Sequence, residues 1–458
     1  PPMKTPLGAL LAPLTLLLAG CVGPNAAEVA PGSTALAIAL PSLDPETFLF
    51  LDPQNAPHPK FGWPTLIAPA VGSSVPALWA PIPASALPDS ITGLSHVTST
   101  AGIEHAGGIS LFGSLAILPG YGEDSAIVDI SDPTEPKVLS KFEPMDGGHR
   151  GSAVIAYPDG RLVAVFSTGP GFEVFDITDP TKPVGLSKVE PTSRGHKLGV
   201  VPGTPYVYNA GSDGGGRAPD GLRAETAKGV TEIYDLTDPA APRLVQEFPN
   251  GFSCHHVYFW NSAEKQRAIC AGVQFAQIWD IADPENPVVV TNVPIPHGNP
   301  MLPSPSVFPA VTPFAHFSIL NQDGTVLVVG DELGGGGLPP GCSAPGAPTG
   351  ALWFYDVSDE SDPKLLGWYS PGHHLEADNL EASCTAHHGR LVPDPDGRDI
   401  LAMSFYGAGV VLLDFSDPMR AEMLDQFKDH SDTWETWYYN GYLFTGDLLR
   451  GMDVLTFE

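Results

Sequence analysis

Histidine is the residue whose distribution in this chain most invites a chemical reading. Single or paired histidines recur at His105, His149, His196, His255 with His256, His316, and His387 with His388, and the stretch DTWETWYYNG puts Glu435 in the corresponding place near the C-terminus. Neutral imidazole ligates copper, zinc and iron alike. If these positions share one mouth, a ring of ligands forms without any local motif; His149, His196, His256, His316 and His388 are the set expected to hold such an ion. The plainer alternative is that the imidazoles hydrogen-bond to neighbouring backbone and fill space, and a third is that they sense pH. Adjacent strand residues face opposite sides, so only one member of each His-His pair is expected to point inward. The chain contains no GxSxG elbow and no HExxH. GDELGGGGLPPGC, residues 330–342, lacks the lysine and the strand-to-helix setting of a phosphate loop, and reads as a long loop. SDGGGRAPDGLRAETAKG, residues 212–229, reads the same way, and such loops are where binding residues commonly sit.

The elements that would position the histidines are announced by a repeated phrase. VDISDPTEPKVLSKF begins at Val128 and returns as FDITDPTKPVGLSKV from Phe175, YDLTDPAAPRLVQEF from Tyr234 and WDIADPENPVVVTNV from Trp279. Looser copies start at Tyr355 and Leu413. Before Asp129, Asp176, Asp235, Asp280, Asp356 and Asp414 stand AIV, EVF, EIY, QIW, WFY and VLL, short runs that mark a strand covered on both faces. A polar residue, a second acid and commonly a proline then end the strand, and the Asp side chains are read as corner-formers that accept turn amides. Upstream hairpin signals such as YPDG before RLVAVF add two strands to each copy. Four strands per copy, without helical periodicity, predict an all-β, seven-bladed β-propeller of four-stranded antiparallel blades. Asp453, in RGMDVLTFE, sits where a seventh copy should begin, and the chain runs out before its fourth strand. Residues 85–98, SALPDSITGLSHVT, are expected to supply that strand from the N-terminal side and close the ring. The first strand of a blade lines the axial channel, which is what would gather the histidines.

Composition limits the partners. With 22 basic and 52 acidic residues the formal charge is −30, which argues against nucleic acid and against anionic headgroups. Fifty glycines and fifty prolines fit frequent turns. Residues 1–20, containing MKTPLGALLAPLTLLLAG, resemble a bacterial lipoprotein signal peptide followed by the lipobox cysteine Cys21. That resemblance implies a lipid anchor on Cys21 and an exported, extracytoplasmic protein at the cell envelope. Residues 21–90 read as an Ala/Pro-rich tether partly packed on the body through aromatic groups such as Phe48, Trp63 and Trp79, and 91–458 as the propeller. Cys254 and Cys270 flank one hairpin, and Cys342 lies in a loop that could reach Cys384; these are the preferred disulfides, with other pairings open.

With AIVDIS at residues 126–131 as the typical strand, residues 95–458 resemble the LVIVD-repeat proteins. The last third, from CTAHHGRLVPDPDGRDILAMSFYGAGVVLLDFSDP to WYYNGYLFTGDLLRGMDVLTF, is most similar to an exported bacterial and archaeal branch of that family. The resemblance implies a propeller and little chemistry. A monomeric, lipid-anchored binding or scaffolding module is therefore expected, its partner an envelope protein or a glycan. The alternative is a metal-dependent enzyme or redox protein built on the axial histidines, with copper, zinc or iron.

Overall fold

The computed structural model describes residues 88, 90–145, 147–191, 196–210, 230–251, 254–261, 265–272, 275–296, 314–332, 350–369, 384–429 and 431–458, all within the compact unit Asp44–Glu458. The signal segment with Cys21, the tether, Cys342 and the insert at 212–229 lie outside the described residues. Every regular element described is a β-strand, and the strands form seven four-stranded antiparallel sheets.

Strand β1 (Leu94–Ser99) stands apart from the chain order. Blade 1 is β2 (Ser110–Phe112), β3 (Leu115–Leu118), β4 (Ser125–Asp129) and β5 (Lys137–Phe142). Blade 2 is β6 (His149–Ala156), β7 (Leu162–Thr168), β8 (Phe172–Asp176) and β9 (Val184–Val189). Blade 3 is β10 (Lys197–Val200), β11 (Tyr206–Ala210), β12 (Thr231–Asp235) and β13 (Arg243–Phe248). Blade 4 is β14 (Cys254–Asn261), β15 (Gln266–Gly272), β16 (Phe275–Asp280) and β17 (Val288–Pro294). Blade 5 is β18 (Ala315–Leu320), β19 (Val326–Asp331), β20 (Leu352–Asp356) and β21 (Lys364–Tyr369). Blade 6 is β22 (Gly389–Val392), β23 (Ile400–Ser404), β24 (Val410–Asp414) and β25 (Glu422–Phe427). Blade 7 takes β26 (Thr433–Tyr439), β27 (Tyr442–Asp447) and β28 (Asp453–Phe457) from the C-terminus, and β1 is its outer strand.

The repeated phrase does what its chemistry implies. Asp129, Asp176, Asp235, Asp280, Asp356 and Asp414 each end a third strand and accept the amide two residues on, at 2.8–2.9 Å. The second acid of each copy, from Asp132 to Asp417, accepts the next turn amide in the same way. Asp453 departs from expectation. It opens β28 instead of closing a third strand, and its carboxylate holds Arg450 together with Ser99 and His96 of β1. Register explains the difference: β1 pairs antiparallel with β28 from Leu94↔Phe457 to Ser99↔Asp453, so Asp453 sits at the seam between the two ends.

Seven apolar clusters account for the core, and each joins two neighbouring blades. Phe354 and Val328 of blade 5 pack with Met403 and Leu413 of blade 6, for example. Val392 and Leu412 of blade 6 meet Tyr438 and Leu455 of blade 7, and Leu111 and Val128 of blade 1 meet Trp437 and Phe444. The remaining four clusters fill the other gaps, so the ring is closed. A single blade cannot cover its own two faces; repetition in a circle does so and leaves no open sheet edge.

Candidate metal centre in the axial channel

Four of the seven inner strands carry a β-bulge at the entrance, and these help decide which side chains reach the axis. A bulge inserts one residue and re-aims its side chain. The inserted residues are Arg150 in β6, His255 in β14, His316 in β18 and Trp434 in β26. His196 stands one residue before β10, and His387 and His388 stand two residues and one residue before β22. The imidazoles of blades 3 to 6 consequently touch in succession: His196 to His255 at 3.7 Å between centroids, His255 to His316 at 4.3 Å, and His316 to His387 at 4.2 Å.

The residue after each of these forms a second ring: Gly151, Lys197, His256, Phe317, His388 and Glu435. Lys197 Nζ crosses from blade 3 to donate to Glu435 Oε2 of blade 7 at 2.9 Å, and Arg390 Nη2 approaches Oε1 at 3.4 Å while stacking on Trp437. Gly151 leaves the space this needs, since a Cβ there would lie 2.9 Å from Lys197 Cε. His388 Nδ1 meets the Tyr258 hydroxyl at 2.7 Å, and the His256 ring lies 5.2 Å from that of His388.

Both members of each His-His pair thus enter the channel, against the expectation that only one could. The alternation rule fails at His255 because it is a bulge residue, and at His387 and His388 because both precede the strand. His149 goes elsewhere. It occupies the place of Cys254, Ala315 and Thr433, one residue ahead of the bulge, and a one-residue slip turns a side chain to the other face. Its ring stacks on Phe166, with Nδ1 on Ser125 Oγ at 2.6 Å and Nε2 on Glu173 Oε2 at 2.9 Å. This buried relay resembles a Ser-His-acid arrangement, but Ser125 is fully covered and no substrate can reach its hydroxyl. His105 is also outside the cluster, bonded through Nδ1 to the Leu448 carbonyl.

Glu332 was invisible as a site residue in the sequence. It follows β19 at the start of the Gly-rich loop, and its carboxylate enters the imidazole row 3.6 Å from His316 Nε2 and 3.9 Å from His387 Nε2. The Tyr406 hydroxyl donates to Glu332 Oε1. The outward nitrogens are also committed: His316 Nδ1 donates to the His387 carbonyl at 3.2 Å, and His387 Nδ1 to the Trp434 carbonyl. A carbonyl can only accept, so each ring carries its proton on Nδ1 and presents the Nε2 lone pair to the carboxylate side. This is the outer-shell arrangement that orients histidine ligands in metal sites.

Electrostatics keep these rings neutral. Burial, reinforced by neighbouring imidazoles and Lys197, holds His316 far below the ordinary range; burial with Lys197 and Arg390 does the same to His256. His388 is depressed likewise, first by burial and then by Lys197. Burial takes His387 down to about 3, although its bond to the Trp434 carbonyl opposes this. Burial would raise Glu435, but Lys197 and Arg390 outweigh it and hold the carboxyl below its usual value. Lys197 is lowered by its own burial.

Two groups of ligand atoms result, His255 with His316 and Glu332, and His316 with His387 and His388, each within 4.8 Å of one another and all buried. Tetrahedral Zn–N bonds of about 2.0–2.1 Å set ligand atoms roughly 3.4 Å apart, so a bound ion would draw the widest of these pairs in by up to about 1.4 Å. His316 has only Nε2 to offer, so the two groups share one position. Of the histidines expected at the site, the structure brings His196, His256, His316 and His388 into the channel. The Cys254–Cys270 disulfide, Cα atoms 5.3 Å apart, ties β14 to β15 beside His255. Cys384 is disulfide-bonded, and Cys342, its expected partner, lies outside the described residues.

Comparison with known proteins adds a repeat. Residues 122–143 match the LVIVD repeat. The crystal structure of the Saccharomyces cerevisiae Sqt1 is similar over 78% of this chain and 83% of that one, with a TM-score of 0.46 and 10% identity. No curated protein matches.

Proposed function

We propose, for a chain that carries an LVIVD repeat in a closed seven-bladed ring, a lipid-anchored extracytoplasmic module that binds one transition-metal ion in its axial channel. The observation that carries this reading is the pair of buried ligand groups that meet at His316, one with His255 and Glu332 and the other with His387 and His388. Neutral imidazoles with one carboxylate suit zinc, copper or iron, and hard cations such as magnesium prefer all-oxygen shells. The disulfide fits an oxidising compartment, and the lipobox at Cys21 supplies the reason for an anchor. A binding or scaffolding role through the outer loops, toward an envelope protein or a glycan, is the second reading, favoured by the fold and the repeat.

Elemental analysis separates the two. Protein purified without a chelating tag is expected to contain close to one equivalent of a single transition metal, and a His316→Gln, Glu332→Gln double variant to lose it. Metal-free protein that takes up no copper, zinc or iron on dialysis would leave the scaffolding role. Fatty-acid labelling that depends on Cys21 tests the anchor independently.

A further inference from the structure

Resting on the metal reading, we infer that the axial centre exchanges single electrons with a cationic one-electron carrier docking around Tyr121, through Trp434 and His387. The His387 ring, beside the Glu332 carboxylate, lies 5.0 Å from the Trp434 indole, and its Nδ1 proton goes to the Trp434 carbonyl. The indole lies 5.0 Å from the Tyr121 ring, which is 45% exposed. Tyr406, which holds Glu332, packs 4.6 Å from His387 on the same side. Three rings in contact therefore span from the buried cluster to solvent.

The identity of these rings matters. Electron tunnelling falls steeply with distance, so oxidisable rings in contact replace one long step by short ones. Indole and phenol are the readily oxidised aromatic side chains, whereas the ring beside His255 is the inert Phe314. Trp434 is also a poor choice for packing alone. Its buried Nε1 has no hydrogen-bond partner among the described residues, a cost of about 1–3 kcal/mol that Phe would avoid. An indole with no acceptor keeps its proton when it loses an electron, so the charge moves on without proton transfer. Beside Tyr121, the exposed Glu104, Glu123 and Asp124 line one hollow with Lys141, three acids to one base on a chain of net charge −30, which attracts positive partners.

The step balances without net bond making or breaking: the reduced ion loses one electron, the carrier in its oxidised form gains it, and the proton that the exposed Tyr121 phenol releases to solvent when oxidised returns when the ring is reduced. Copper supplies the test. Protein loaded with copper and reduced to Cu(I) is mixed with tris-bipyridine ruthenium(II), and a laser flash with a sacrificial quencher generates the cationic Ru(III) oxidant. Growth of the Cu(II) spectrum is then timed. Trp434→Phe is expected to keep full copper content, keep or raise the melting temperature, and slow copper oxidation by an order of magnitude. Tyr121→Leu should slow it similarly, and Trp368→Phe, at an exposed indole in blade 5, should not change it. Full copper content with an unchanged rate in Trp434→Phe overturns the electron path and leaves the metal site standing; a protein that takes up zinc but neither copper nor iron also overturns the electron path alone, and one that takes up none of the three overturns both.

Discussion

Tyr406 shows how tightly single residues are held around the cluster. Its φ is 50°, in the left-handed region that costs an ordinary L-residue roughly 1–2 kcal/mol. Paired backbone bonds with Thr433 keep it there, at 3.0 and 3.1 Å, and the hydroxyl lands on Glu332. Strain of this kind persists where the surroundings over-determine it, commonly at functional sites. The histidines carry a measurable signature of the same confinement. A ring whose folded pKa is depressed takes its proton first in the unfolded chain. Its stabilisation is therefore complete above the unfolded value of about 6.5 and is lost as pH falls toward the folded value. For His387 that window runs from about 6.5 to about 3, and His256, His316 and His388 act in the same direction. Asp432, raised to about 6 by burial and by Asp447, partly opposes them over the lower part of the window. Metal-free protein is expected to lose about 1.4 kcal/mol per pH unit for each proton taken up by the unfolded chain alone. Guanidinium midpoints measured between about pH 7 and about pH 5 should fall, and less steeply in His387→Gln; a flat profile would mean that the folded and unfolded chains take up protons alike.

At the scale of elements, the bulge at the entrance of four inner strands, in blades 2, 4, 5 and 7, is a device that makes a site out of a repeat. It converts a position that would alternate into one that always faces the axis, and the blades differ only in which residue they place there: His255, His316, Trp434 or Arg150. In blade 4 the disulfide bridges the strands immediately beneath the bulge, closing a loop of sequence separation 16. Loops of that length lose about 3 kcal/mol of unfolded-state freedom when cross-linked. The double variant Cys254→Ala, Cys270→Ala is expected to unfold with a free energy lower by about that amount in guanidinium titration, the wild type under reducing conditions behaving alike. Equal stability of the two forms would show that the bridge adds nothing to the packing of Trp279 and Phe259 around it.

For the whole molecule the decisive feature is the seam in blade 7. β1 covers the edge of β28 through a continuous ladder extended by Thr92, Gly93 and Thr100 to Glu458 and Met452, and Asp453 gathers Ser99, His96 and Arg450 across it. A chain beginning at residue 100 would expose that edge, an invitation to pair with another molecule. It should melt at lower temperature than the full chain and self-associate on size exclusion, and a peptide of residues 90–100 should reverse both. A truncated protein that stays monomeric with an unchanged melting temperature would contradict the closure.

The repeat was legible because strand, corner and hairpin are local: AIVD, EVFD and EIYD state their burial by composition, and Asp bonds an amide two residues away. Blade number and the direction of closure follow from counting such units along the chain, and the Cys254–Cys270 bridge, preferred because the two flank one hairpin, is the one the structure contains. The site was legible only in kind. That histidines stand at blade entrances is written in the order of residues, but a bulge is a disagreement between two strands and has no signature in either one. Hence His149 looked equivalent to His316 and faces the interior between blades instead, and the His-His pairs seemed unable to serve together. Glu332, Tyr406 and Trp434 gave no signal, because they come from three different blades and meet only when the ring is shut. The sequence by itself determined the folding unit, since each unit is specified by contacts within a few residues. Which side chains share the axis was decided by tertiary structure, because that depends on register and on closure, which belong to pairs of strands and to the circle as a whole.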